Sequence, residues 1–460
     1  MPLRVKIRCY GGLLGDCFLL RFPRTDGAAD VSMLIDFGVL QNFPAGESRL
    51  PAIAADIHRE TGGKLDIVVV THRHWDHVCG FGKAPGYADT VGELWMSWVE
   101  NPDDPAGRRI TGNVAKTEAR LAAFAEQAGA ALGLAASSFP ELTEINNALT
   151  FTASASAAPG PGAKRLTTPG CIDLVRAKVT GAARYFHPSD RIAIPGSNVA
   201  AWVLGPPTDE RLLADQDPSA DKHEVFKLTD GMLGEALGGD DAPAALRPPF
   251  EVKKSLDFPP KPGQNPAAAD WLAGHYGNEP WRRVDGVGME ALALQFDNIV
   301  NNTSLVLAFE LEPGGDVLLF AADAQVGNWQ SWRQIAWPDK ADPEQRIAEL
   351  LGHVVFYKVG HHGSINATAS AEGLDRMTSP KLRAFIPVVE SFARAKKPKG
   401  WDMPHESMRR VLETRACGRV ARGDMALPDA FMTATDGFAP PVFTPDPADP
   451  SLPFHIDFEF

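Results

Sequence analysis

Cysteine is scarce in this 460-residue chain: Cys9, Cys17, Cys79, Cys171 and Cys417 are odd in number, widely spaced and form no C-x-x-C pair. That usage excludes a disulfide scaffold and a cysteine zinc site, and it suits a reducing compartment. Long apolar runs are also missing, none approaching the roughly 18 residues of a membrane span, so no membrane-spanning segment is expected. The opening Met1-Pro2-Leu3-Arg4-Val5-Lys6-Ile7 alternates as a strand does and lacks the apolar stretch and cleavage site of a secretory signal, which points to the cytoplasm. Positive charge is in deficit, with 45 Lys and Arg against 58 Asp and Glu and a net charge of −13. This argues against a broad nucleic-acid-binding surface and leaves room for a small anionic or nucleotide-type substrate. No internal repeat or coiled-coil tract is visible.

What is present is concentrated at one place. Leu65-Asp66-Ile67-Val68-Val69-Val70-Thr71 reads as a strand buried on both faces, and it stops at His72-Arg73-His74-Trp75-Asp76-His77. Four potential ligands within six residues cannot all face one way in a regular element, so a loop wrapped around a cation is expected here. Neutral imidazole and carboxylate suit zinc, manganese or iron, and the pattern has room for two ions: His72 and His74 on one, Asp76 and His77 on the other. The alternative is four polar residues in a surface turn, against which the buried strand argues.

Strands are expected at residues 3–9, 17–22 and 31–36, the last ending in Asp36-Phe37-Gly38, and a helix at 51–61 closed by Gly62-Gly63. Strand-helix-strand order implies a layered α/β fold with ligands at strand ends. Asp36 either orients a metal-bound histidine or caps a turn. An amphipathic helix is expected at 114–134, a loop at 153–169, a strand at 198–206 and a short helix at 267–276. The regions of about 96–192 and 207–297 read as insertions in a single 1–460 domain.

Strands 303–311 and 316–320 form a hairpin, and the second runs into Asp323, a carboxylate that needs a partner at a buried strand end. Strand 353–359 runs into Gly360-His361-His362-Gly363-Ser364, repeating the strand-end arrangement of the first motif. A strand at 384–389, the basic run 394–399, Pro404-His405-Glu406 opening a helix at 407–415, and a final strand at 454–460 complete the chain.

His72, His74, Asp76 and His77 match the H-x-H-x-D-H signature, and here the chain resembles the metallo-β-lactamase superfamily, with Cys79-Gly80 where Gly-Gly is usual. Gly15-Asp16-Cys17, Leu34-Ile35-Asp36-Phe37-Gly38, Asn302-Thr303-Ser304-Leu305-Val306 and Lys358-Val359-Gly360-His361-His362-Gly363-Ser364 resemble the soluble ComEC-like branch of that superfamily. The resemblance implies an αββα sandwich, with the two insertions unmatched. It also implies two divalent ions, zinc first and manganese second, with Asp323 as the carboxylate bridging both and Asp36 as an orienting residue. One of His361 and His362 would complete the second site, only one because consecutive residues leaving a strand diverge, and His362 is taken as the ligand. His187, Asn301 and Asn302 are the candidates to complete the first site.

The function this leads to is a metal-dependent hydrolase, a phosphodiesterase acting on a nucleotide or nucleic-acid substrate through a metal-activated hydroxide. Asp76, His361 and His405 are its candidate catalytic residues, the two histidines as donors to a substrate oxygen, and Lys358 is a weaker candidate because it sits on the strand itself. The basic run either meets an anionic substrate or is a solvated loop. Hydrolysis of a lactone, thioester or β-lactam is the competing activity, and a metal-stabilised interaction protein is the competing class.

Overall fold

The computed structural model describes residues 4–132, 145–149, 166–213, 293, 296–338, 341–369, 373–396 and 400–460. Most of the region 207–297, the helix expected at 267–276, most of the loop at 153–169 and the basic run's last three residues lie outside the described residues.

Two sheets carry the fold. The first contains β1 (Lys6–Tyr10), β2 (Cys17–Phe22), β3 (Val31–Phe37), β4 (Lys64–Val69), β5 (Thr90–Ser97) and β6 (Ala183–Phe186) in sequential order, extended beyond β1 by two strands from the other end of the chain. The second is built on β7 (Arg191–Ala193), β8 (Ala200–Gly205), β9 (Val306–Glu310), β10 (Val317–Phe320), β11 (Val354–Lys358), β12 (Arg383–Ile386) and β13 (Val420–Arg422). The last strands, β14 (Val442–Pro445) and β15 (Pro453–Glu459), return to the first sheet, where β15 pairs antiparallel with β1. The region of about 96–192 thus returns one edge strand to each sheet, β6 and β7.

Side-chain alternation sorts each strand between two apolar layers. In β9, Leu307 and Phe309 join the layer between the sheets, while Val306 and Ala308 join the layer under the helices. Rings meet across the sheets: Phe18 of β2 packs edge-on against Phe320 (5.6 Å) and Phe385 (5.9 Å). Helices cover the outer faces. α1 (Leu50–Thr61) turns Ile53 and Ile57 inward, α2 (Trp75–Lys83) adds Val78 and Phe81, and α4 (Thr168–Arg176) adds Cys171, Ile172 and Val175. Each such fully buried side chain contributes about 1.5–3 kcal/mol. α3 (Pro105–Leu132) begins nine residues before the helix expected at 114–134. On the second sheet α5 (Val326–Ser331), α6 (Pro343–Gly352) and α7 (Glu406–Arg415) bury Trp329, Leu350 and Leu412. The architecture is the αββα sandwich that the resemblance implies. No helix among the described residues is long and apolar enough to cross a membrane.

Parallel pairing of β3 with β4 and of β4 with β5, and of β10 with β11 and of β11 with β12, puts the carboxyl ends of these strands on one rim. The potential ligands collect there. The segment after β4 is not wholly a loop as expected. His74 is the N-cap of α2, so His72 and His74 precede the helix while Asp76 and His77 lie in its first turn. A turn of helix separates the two pairs in direction, which is how six residues supply two sets of donors. Cys79 lies inside α2 rather than in a turn, its thiol donating to Val39 O (3.3 Å).

Candidate metal centre

Each donor is aimed by a neighbouring group. Asp36 ends β3 in left-handed backbone (φ 54°), and its carboxylate accepts from the Thr71 amide (2.9 Å), the Thr71 hydroxyl (2.6 Å) and His77 Nδ1 (2.8 Å). With Nδ1 held, His77 presents Nε2 inward, 3.1 Å from Asp323 Oδ2 and 4.0 Å from Asp76 Oδ2. The Thr71 hydroxyl also lies 3.0 Å from His72 Nδ1, so His72 turns Nε2 to the same space, where it is buried with no hydrogen-bond partner among the described residues. Its ring centroid is 4.8 Å from that of His74 and 4.1 Å from that of His77.

The second sheet supplies the opposing wall. The His361 amide donates to Asp323 Oδ1 (3.0 Å), leaving Asp323 Oδ2 facing His77. His362 Nδ1 is bonded to Pro387 O (2.7 Å), and its Nε2 lies 3.0 Å from Asp76 Oδ2. The expectation that a strand-end pair must diverge takes a different form here. His361 (φ 42°) and His362 (φ 54°) form a left-handed turn, so the unusual angles fall on the histidines themselves as well as on Gly363 (φ 84°). Among the described residues, seven non-glycine positions have positive φ, and Asp36, Ala322, His361 and His362 are four of them. Strain of this kind costs about 1–3 kcal/mol per residue and persists where the surroundings fix it.

Beneath the donors lies Lys358, at 1 % exposure. Its ammonium contacts Asp16, donates to Ala322 O (2.9 Å) and stands 3.4 Å from Asp323 Oδ1. Burial pushes the Asp16 carboxyl up against the pull of Lys358. Burial also drives His72 well below the ordinary imidazole range and His74 down to about 3, so both are neutral imidazoles, the form that binds metals. His77 and His362 move the other way: burial lowers them, but Asp323 and Asp16 around His77, and Asp76 and Asp323 around His362, raise them. The field between these four side chains therefore favours positive charge.

A divalent ion fits this donor set. The nearest ligand atoms of Asp76, His77, Asp323 and His362 all lie within 4.8 Å of one another, close to the roughly 4 Å span of donors around one first-row ion. Asp76 Oδ1 and Asp323 Oδ2 are buried without a hydrogen-bond partner among the described residues, a costly state for carboxylates that a cation relieves. Asp16, Asp36 and His77 form a second acidic group, but its carboxylates are already engaged by Lys358, Thr71 and His77 Nδ1.

The other expected residues are placed as follows. His361 is 5 % exposed with its ring centroid 5.8 Å from that of His362, and burial brings its imidazole down to about 4. His405 joins the same turn through its amide, which donates to Gly363 O (2.8 Å), while its ring is engaged by Ser407 (2.8 Å) and lies 3.6 Å from Asp402. His187 is not brought to the cluster: it is exposed and stacks on Trp98 (centroids 5.8 Å, 10°). Asn302 is a structural link, donating to Leu213 O (3.1 Å) and accepting from the amides of Gln325 (3.0 Å) and Asn328 (3.3 Å). Asn301 donates to Asp297 Oδ2 (3.2 Å), and Asp297 Oδ1 lies 3.7 Å from His74 Nε2.

Asp16, Lys358 and Asp297 are the participants that sequence reasoning undervalued. Gly15-Asp16 was legible as a turn, with nothing in it to show a buried cation opposite. Asp297 closes a long stretch without clear periodicity, and its one signal is the spacing of Asp297 and Asn301, one helical turn apart.

Residues 10–93 match the family model of the metallo-beta-lactamase superfamily. The match runs from the end of β1 into β5 and includes His72, His74, Asp76 and His77. No curated protein matches the chain. Asp323 and His362 lie outside the matched residues, and it is the fold that brings them to the motif.

Proposed function

We propose that the chain is a metal-dependent hydrolase that cleaves phosphodiesters of a nucleotide-type substrate. Its ligands to two divalent ions, zinc or manganese, are His72, His74, Asp76, His77, Asp323 and His362. The observation that carries this reading is the convergence of Asp76, His77, Asp323 and His362 from both sheets within 4.8 Å. Bound ions supply Lewis acidity and an activated water. The chain's own residues do the rest. Asp36 and Pro387 O fix the His77 and His362 rings, Lys358 offsets the charge of Asp16 and Asp323, and His361 and His405 flank the turn where a substrate oxygen would be met. The preference for phosphodiesters rests on the ComEC-like motifs, Lys358 to Ser364 above all. Buried, unpaired Cys9, Cys17, Cys79 and Cys171 fit a cytoplasmic setting.

One observation favours acyl chemistry on a lactone, thioester or β-lactam instead. The pocket beside His74 is lined by Val114, Ala115, Pro169, Phe296 and Val300 together with Thr111, Glu118 and Thr168, and its Arg73 is tied to Glu100 (2.6 Å). In the basic run, Arg394 pairs with Glu390 (2.7 Å) and Lys396 lies over Phe392 (4.5 Å), so neither stands ready for an anion. The two activities separate by assaying bis-p-nitrophenyl phosphate against a thioester and a lactone, with and without chelator. Chelator-sensitive diester turnover that disappears in Asp76→Ala and His77→Ala supports the proposal. Turnover of the acyl substrates alone selects the second activity, and stoichiometric metal without turnover selects an interaction protein.

A further inference from the structure

His72 and His74 are the two histidines assigned to the first ion, and among the described residues Asp297 stands beside them. Residues 296–302 are helical, and this segment is fixed from behind by Phe296, Ile299 and Val300, which pack with Leu121 of α3. On its inner side Asp297 directs Oδ1 to 3.7 Å from His74 Nε2. That separation is too long for a hydrogen bond. It is the separation of two donors on one ion, since ligands about 2.0–2.2 Å from a tetrahedral zinc stand roughly 3.4 Å apart. Asp297 Oδ1 is buried and has no hydrogen-bond partner among the described residues, although Oδ2 is held by Asn301 (3.2 Å). His72 Nε2, on a side chain with no exposure, is also buried without a hydrogen-bond partner among them.

We propose that Asp297 is the third protein ligand of the first metal site, beside His72 and His74, and that Asn301 is its positioning residue. The assignment rests on the metal-dependent reading given above. It supplies a carboxyl oxygen where His187 is exposed on Trp98 and Asn302 is engaged by backbone. With Asp323 as a shared carboxylate, the first ion meets two imidazoles and two carboxylates. That set is harder than one of three imidazoles, so manganese competes better with zinc than it would at a three-histidine site.

The test is metal stoichiometry of purified protein after gel filtration, with cobalt titration followed by visible absorption and with circular dichroism as the check on folding. Wild-type protein is expected to hold two ions and Asp297→Ala one. Asp297→His should restore the second ion with a shift from manganese towards zinc. Asn301→Ala should keep both ions and weaken the first about 10–100-fold. If Asp297→Ala does not fold, the near-isosteric Asp297→Asn carries the measurement, since an amide is a poor ligand. Two ions held with wild-type affinity in Asp297→Ala or Asp297→Asn overturns the inference alone. So does a wild-type protein with a single ion that is lost in His77→Ala and kept in Asp297→Ala. Wild-type protein that binds no ion overturns the hydrolase reading beneath it.

Discussion

Asp76 Oδ2 lies 3.0 Å from His362 Nε2 across 286 positions of sequence. Asp76 belongs to the first turn of α2 on the first sheet, and His362 to the turn that follows β11 on the second. Their contact marks the rim where the two halves of the sandwich meet. The site is therefore assembled only when both sheets are packed, and an ion held there joins them.

The adjacent histidines are expected to fail differently. His362 has Nδ1 committed to Pro387 O (2.7 Å), which leaves Nε2 for the cluster, whereas His361 touches Asp323 through its backbone amide. His362→Ala should lower metal content and turnover together, with turnover down at least about 100-fold, because a ligand matters more than its outer partners. His361→Ala should keep both ions and lose turnover. Metal analysis and kinetics on the two variants check this, and the reverse pattern reverses the roles.

Lys358 is expected to be the costliest single position outside the donors. Its ammonium is buried between Asp16 and Asp323, and removing it leaves two buried carboxylates without their cation. Lys358→Met should destabilise the metal-free protein by about 3–5 kcal/mol. Adding Asp16→Asn to that variant should recover part of the loss, because one of the stranded charges is removed with its partner. Urea unfolding of the single and double variants measures both. A loss under about 1 kcal/mol in Lys358→Met would show that the ammonium does not hold the site.

The strand-end chemistry was legible in the sequence because period and composition change abruptly at Thr71-His72 and at Val359-Gly360. The layered fold followed from strands and helices that alternate along the chain. Asp323 was legible for a related reason, a carboxylate at the end of an apolar strand. What could not be read was a meeting of distant segments that no motif marks. Lys358 looks like the last residue of a strand until Asp16 is found opposite, and Asp297 looks like loop until His74 is found beside it. The helix that begins at Trp75 was hidden because ligand residues, not helix formers, open it. The left-handed turn at His361-His362 was hidden because flanking glycines are the residues expected to take such angles.

A second region sets acid stability. Arg8 of β1 holds Asp457 of β15 with two parallel bonds (2.8 and 2.9 Å) and reaches Asp56 of α1 (2.7 Å). Burial pushes the Asp457 carboxyl up, but His455 Nδ1, 3.3 Å away, and the Arg8 bonds outweigh it and bring it down to about 2. A carboxylate lowered on folding stabilises above its unfolded value, near 4, and that contribution fades as pH falls towards the folded value. Asp457→Asn should therefore cost about 1–2 kcal/mol at pH 7, allowing for partial solvent screening, and the gap to wild type should close between about pH 4 and pH 2. Unfolding measured across that range checks the sign. A gap that is constant with pH would remove the ion pair as its cause.

The position of the donors is expected to depend on Gly38. A Cβ there would stand 2.2 Å from the Asp76 carbonyl carbon, 2.3 Å from its oxygen and 2.5 Å from the His77 nitrogen. These are backbone atoms, and they have little freedom to give way. The Gly38 amide donates to Asp16 O (3.0 Å), and the Asp16 amide donates to Asp76 O (3.0 Å), so the same three segments are tied together at the point of contact. Gly38→Ala must move the first turn of α2, which carries Asp76 and His77. The expected result is metal affinity at the second site weakened at least about 10-fold, with about 1–3 kcal/mol lost from stability. Gly62→Ala is the control. Gly62 closes α1 in left-handed backbone (φ 60°), and a Cβ added there would meet nothing within 4 Å, so alanine should cost about 1 kcal/mol and leave the metals untouched. Cobalt titration and thermal unfolding of the two variants separate the effects. Wild-type affinity in Gly38→Ala would mean that the close approach of β3 to α2 does not fix the donors.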